Sequence, residues 1–271
     1  MAAVNLLKLR KEINSLLWKF TDPEGFKADL IQILSQYETL PFRSSQAVHI
    51  TGLSQRSQVP LLVYRELELA FYPVVLAQPE AALALADTLW VESDEAVRRI
   101  ASILLGQIPL TYADQILARL LEWAQTGLDP EEVSVLFENA ASQLRSVDVE
   151  VLLQAAADWS RSPIKSTRLI GLRSLIFLLE DPGFINLPTV FNVLEDLFSD
   201  LALDEVPEVT RIIELSLEKS NIETSYFMRQ QLEKNPSREL TRICRRLLPQ
   251  FSAQSQDQIQ HILRNSYKRV K

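Results

Sequence analysis

Glycine is scarce in this chain, with six in 271 residues. No Asn-Gly or Asp-Gly pair joins two runs of alternating apolar and polar residues, so a fold of β-hairpins is excluded. There is one cysteine, Cys244, which can form no internal disulfide and suits a reducing, cytoplasmic setting. His49 and His261 are the only histidines, and no pair of zinc ligands has the spacing a zinc site needs. Glycine-rich phosphate loops and nucleophile elbows are missing as well. No apolar run reaches the ~20 residues that cross a bilayer. These gaps lead us to expect a protein without metal, cofactor or membrane span.

What is present is helical. Apolar residues recur every three and four positions, and the breaks fall at Asp22-Pro23, Asp129-Pro130, Ser162-Pro163 and Asn235-Pro236. Each pair reads as a capping side chain followed by a proline, which a first helical turn tolerates because its missing N–H has no partner there. The pattern predicts about fourteen helices on short links, with Thr39 to Gln55 as the longest irregular stretch and His49 inside it. At the N-terminus Lys8, Arg10, Lys11 and Lys19 interleave with Leu6, Leu9, Ile13, Leu16 and Phe20. That spacing describes an amphipathic helix, not the unbroken apolar stretch of a signal peptide.

The helices repeat. Asp94-Glu95-Ala96-Val97-Arg98-Arg99-Ile100-Ala101 opens on an acid, gives Val-Arg, and runs on through Leu104 to Gly106. The register returns as Thr167-Arg168, Thr210-Arg211 and Thr241-Arg242, and Glu131 to Leu144 fills the one missing place. A single helix pair cannot bury its apolar face alone, so neighbours must stack. The expected fold is all-α: one right-handed superhelical solenoid of antiparallel helix pairs over 1–271, HEAT-like. Residues 57–271 form the repeats, and 1–56 cap them. Arg98, Arg168, Arg211 and Arg242 should share one face.

Net charge is −7, but it is unevenly spread. Ala81 to Ser160 carries thirteen acids and four bases, and Ser174 to Met228 eleven acids and two bases. Between them, Arg161 to Arg173 holds four bases and no acid, and Arg229 to Lys271 has ten bases against three acids. In the last repeat Arg238, Arg242, Arg245 and Arg246 line one side of a helix, while Leu240, Ile243, Cys244, Leu247 and Leu248 line the other. A basic stripe with an apolar back suits phosphate binding. The competing reading is a solvated face that balances acidic neighbours.

Ala84-Leu85-Ala86-Asp87-Thr88-Leu89-Trp90 with the following Val97-Arg98 helix, and Trp159-Ser160 leading to Arg168, resemble the HEAT-like alkylpurine DNA glycosylases, the AlkD-like family. The likeness runs loosely from Ala47 to Leu248. It implies a basic face that cradles duplex DNA, excision of cationic alkylated bases, and no cofactor. That family presents two aromatics and an Asp, a later Arg, and a Trp in the next inner helix. Here the first run falls on Gly127-Leu128-Asp129-Pro130-Glu131-Glu132, so Glu132 stands for the catalytic acid. Arg168 matches the Arg, and Leu215 replaces the Trp. Trp123 and Trp159 are the aromatic candidates, although packing is the competing role for both, as a first-turn acid is for Glu132.

The expected function is therefore a monomeric DNA-binding relative of the alkylation-repair glycosylases with a degenerate excision site. Its expected contacts are Arg98, Lys165, Arg168, Arg211, Arg238, Arg242, Arg245 and Arg246. A protein–protein scaffold and an active glycosylase are the alternatives.

Overall fold

The computed structural model describes residues 4–38 and 59–269; the Thr39 to Gln55 stretch and His49 lie outside them. Every regular element among the described residues is helical. The chain divides into two compact units, Met1–Asp148 and Val149–Lys271.

The first unit holds α1 (Leu6–Leu17), α2 (Pro23–Tyr37), α3 (Leu61–Ala77), α4 (Pro79–Trp90), α5 (Glu95–Gln107), α6 (Ala113–Ala124), α7 (Pro130–Ala140) and α8 (Ser142–Val147). Alternate helices pack on one another: α1 on α3, α3 on α5 and α5 on α7 make one layer, and α2 lies against α4 in a second. The second layer continues to α6, where Trp90 and Trp123 stack with centroids 4.4 Å apart and Arg119 reaches Asp87 at 2.6 Å. Leu9, Ile13 and Leu16 of α1 are buried, so the amphipathic N-terminal helix is docked. Its apolar stripe drives that docking, because isolated helices of this length are marginal in water.

The second unit holds α9 (Val149–Ser160), α10 (Lys165–Glu180), α11 (Leu187–Leu197), α12 (Val206–Lys219), α13 (Asn221–Lys234), α14 (Arg238–Leu247) and α15 (Ala253–Arg269). Here α10, α12 and α14 pack in sequence, while α9 meets α11 and α13 meets α15. Phe191 of α11 stacks on Phe227 of α13 at 4.5 Å, which joins those two pairs into the other layer.

Two glycines mark close approaches between helices. A Cβ at Gly106 in α5 would lie 1.9 Å from the Asn139 carbonyl oxygen, and one at Gly171 in α10 would lie 2.3 Å from the Ser160 nitrogen. Only a residue without a side chain allows these backbones to meet.

The punctuation is half as expected. Asp22 caps α2 with Pro23 in its first turn, and Asp129 does the same for α7 with Pro130. The other two pairs act otherwise. Ser162 Oγ accepts from the Ile164 N–H at 3.1 Å, closing a turn before α10, whose first residue is Lys165. Asn235 ends α13, and Ser237 caps α14 by accepting from the Leu240 N–H at 3.0 Å.

Candidate nucleic-acid interface

The candidate cations of the second unit sit on one layer, Lys165 and Arg168 on α10, Arg211 on α12, and Arg238, Arg242, Arg245 and Arg246 on α14. Arg98 is on α5 in the first unit. Its Nε donates to the Glu92 carbonyl at 2.6 Å and its guanidinium lies 5.6 Å from the Trp90 ring centre. Those contacts hold the turn that enters α5.

On α10 and α12 the cations meet carboxylates. Arg168 donates to Glu205, a carboxylate with 0% exposure, and also approaches Asp200 at 3.7 Å. Glu205 accepts from the Ala202 N–H at 3.0 Å as well, so its charge is matched by two donors. Lys165 bonds Asp204 at 2.6 Å, and that hydrogen bond holds the Asp204 carboxyl below the usual range. Arg173 pairs with Glu208 at 3.3 Å. Arg211 pairs with Glu180 at 3.2 Å and Glu214 at 3.7 Å. Arg161 meets Asp196 at 2.8 Å. The basic block at Arg161 to Arg173 is thus matched locally by acids.

Helix α14 differs. Ser237 fixes its start, Leu240, Ile243, Cys244 and Leu247 are buried, and the opposite side carries the arginines. Arg238, Arg242, Arg245 and Arg246 are exposed. Among the described residues, no carboxylate pairs with Arg238, Arg242 or Arg246. Arg245 and Arg246 also lie in the last turn, where the helix dipole favours positive charge. Burial pushes the Cys244 thiol up to about 12, which makes it a packing residue without nucleophilic character at neutral pH.

The candidate excision residues are engaged elsewhere. Glu132 forms a capping box with Asp129: its Oε2 accepts from the Asp129 N–H at 2.8 Å, and Asp129 Oδ1 accepts from the Glu132 N–H at 2.9 Å. Trp123 is 3% exposed, with one ring face covered by Trp90 at an interplanar angle of 6°. Trp159 is half-buried on α9. Leu128 is half-buried and Leu215 is buried. No cluster of three His, Cys, Asp or Glu side chains that could hold a metal ion occurs among the described residues.

Sequence reasoning missed the acid partners. They stand far along the chain, at separations of 35 for Arg161–Asp196, 37 for Arg168–Glu205, 35 for Arg173–Glu208 and 31 for Arg211–Glu180. Comparing charges at that spacing would have found them. Comparison with known proteins finds no matching family model, no similar curated protein and no similar solved structure.

Proposed function

We propose that the chain is a binding protein built from right-handed, HEAT-like stacks of helix pairs, and that α14 holds the phosphate backbone of duplex DNA. The alternate-helix packing within each unit supports the stacking. One observation carries the DNA reading: Arg238, Arg242 and Arg246 stay exposed without a carboxylate partner among the described residues, whereas the cations on α10 and α12 are matched. Phosphates gain most where no acid competes for the guanidinium.

Base excision is no part of the proposal. Glu132 is committed to a helix cap, and Trp123 to a stack with Trp90. Neither is placed to face a developing positive charge on a sugar.

The test is duplex binding measured against salt. Affinity should fall steeply with salt in the native chain. Replacing Arg238, Arg242 and Arg246 with Ala should flatten the slope of log affinity against log salt by roughly 3, with weakening at every sequence. Native protein that leaves duplex DNA unbound at low salt would remove the proposal. Release of 7-methylguanine from alkylated DNA, lost on Glu132→Gln, would instead show an excision site.

A second reading is a protein-binding scaffold, favoured by large apolar side chains left exposed on α3 and just past the end of α1, among them Leu69, Tyr72 and Trp18.

A further inference from the structure

The turn between α1 and α2 holds a tryptophan in solvent. Leu16 and Phe20 are buried, and Trp18 stands two residues from each, on the opposite side of the helical path. It is 90% exposed. The Lys19 N–H donates to the Leu16 carbonyl at 2.9 Å and the Asp22 N–H to the Lys19 carbonyl at 2.8 Å, which fixes the turn. Phe20, edge-on to Phe26 with ring centres 6.1 Å apart, pins the turn to the core, and the indole is thereby kept outside. Beside Trp18 lies a cavity of about 560 Å³, within the usual size of a small-ligand site. It opens between this turn and the junction of α3 with α4, and Leu17, Phe20 and Val74 make its apolar side.

The polar part of the lining is uncharged and uncommitted. It consists of Asn14, Thr21 and Gln78, and among the described residues none of these side chains hydrogen-bonds to another protein group. At Gln78 the backbone does the joining: its N–H donates to the Val74 carbonyl at 2.9 Å and its carbonyl accepts from the Ala82 N–H at 3.0 Å. The amide side chain is left free. The charged side chains of the turn are spent elsewhere, Lys19 on Asp29 at 2.7 Å and Asp22 on the cap of α2. An ionised ligand would find no counter-charge in this lining. What the cavity offers is one exposed aromatic face, with two amides and a hydroxyl that each donate and accept. We infer that it binds a neutral sugar, a pyranose of glucose configuration stacked on Trp18. With every hydroxyl equatorial, such a ring carries only C–H bonds on its faces and hydroxyls around its edge. The face suits the indole, and the edge suits Asn14, Thr21 and Gln78. A nucleobase suits the cavity less, because a flat heterocycle gains most between two aromatic faces and Trp18 is the one exposed ring in the lining.

The cavity lies in the first unit and does not depend on the reading of α14, which lies in the second. The probes are methyl β-glucoside and cellobiose, titrated into the native chain and followed by tryptophan fluorescence. Trp18 is the exposed indole of the four, since Trp90 and Trp123 are buried and Trp159 is half-buried. A sugar seated on it should shift emission to shorter wavelength in a saturable way and protect it from iodide quenching. Affinity measured by calorimetry should fall about tenfold or more with Trp18→Ala, and about three- to tenfold with Gln78→Ala or Asn14→Ala. All three side chains are exposed, so thermal unfolding should be unchanged and loss of fold is not an explanation. Tighter binding of cellobiose than of the glucoside names a glucan chain as the source, and equal binding a free sugar; either result supports the site. Sorbitol, which carries hydroxyls without a ring face, should not bind. Four results would overturn the inference: no saturable response to either sugar, an affinity that Trp18→Ala leaves unchanged, sorbitol binding as well as the sugars, or a Trp18-dependent response to adenosine with none to the sugars.

Discussion

Arg168 on α10 and Arg242 on α14 both follow a threonine in a helix of the same layer, yet their surroundings give them opposite roles. Arg168 neutralises Glu205, a carboxylate with no exposure at all. Removing the guanidinium leaves that charge buried with the Ala202 N–H as its remaining donor among the described residues. Arg168→Ala should therefore cost about 3–5 kcal/mol in a denaturant titration, the usual result of breaking a buried pair from one side. Arg242→Ala removes an exposed side chain and should stay within about 0.5 kcal/mol. On the other side of α14, Leu247 is fully buried, and Leu247→Ala should cost roughly 2–5 kcal/mol. Equal losses for Leu247→Ala and Arg242→Ala would show that the two sides of α14 are wrongly assigned. Cys244 offers a second readout, because its thiol is buried and raised to about 12 while an unfolded thiol ionises near ~8.5. Between those values the unfolded state holds fewer protons than the folded one. The contribution of Cys244 to stability is therefore complete below pH ~8.5 and declines as pH rises above it. A thiol reagent at neutral pH should label the native chain only as fast as it unfolds, and rapid labelling would contradict the burial.

The helices themselves were legible because each carries its own pattern. The stripe of Leu240, Ile243, Cys244 and Leu247 against the arginines can be read from ten consecutive residues, and all four apolar members are buried. Caps were legible where the side chain, the proline and the first turn are contiguous, as at Asp22 and Asp129. They were misread where the chain inserts a turn before the helix. Nothing local distinguishes Ser162, which bonds Ile164, from a true cap. Asn235 and Ser237 are candidates two residues apart, and the end of α13 takes the first. The correction can be measured. Ser237→Ala should destabilise α14 by about 0.5–2 kcal/mol, the usual loss of a cap, while Asn235→Ala removes no bond to an α14 N–H and should change little. Glycines behave as elements of packing here. Gly171→Ala places a methyl 2.3 Å from the Ser160 nitrogen, so α9 and α10 must separate. A loss of about 1–3 kcal/mol is expected, against a small gain if the position were merely a helical glycine in open space.

At the scale of the whole chain the candidate site was legible only in part, because charge that is visible in sequence is neutralised in space. The arginines of α10 and α14 look alike in sequence, and what separates them is a pair of acids 37 and 35 residues downstream of Arg168 and Arg173. Those pairs also set how the protein responds to pH. Lys234 holds Glu195 below the ordinary carboxylate range through a hydrogen bond, and Lys165 does the same for Asp204. Carboxyls depressed in the folded state stabilise it above their unfolded pKa values, and that contribution is lost only as pH falls through the lowered folded values. Acidification from pH 7 toward the isoelectric point near 5.1 therefore leaves these pairs intact while the net charge of −7 approaches zero. The arginines of α14 keep their charge throughout. If α14 holds duplex DNA against the repulsion of an acidic chain, affinity at fixed low salt should rise as pH is lowered from 7.5 to about 5.5, because long-range repulsion weakens and the contacts do not. Far-UV circular dichroism should be unchanged over the same range. The Arg238→Ala, Arg242→Ala, Arg246→Ala variant should remain weaker than the native chain at every pH. A native affinity that stays flat with pH would mean that net charge does not oppose binding, and a variant that matches it at low pH would mean that α14 is not where the phosphates sit.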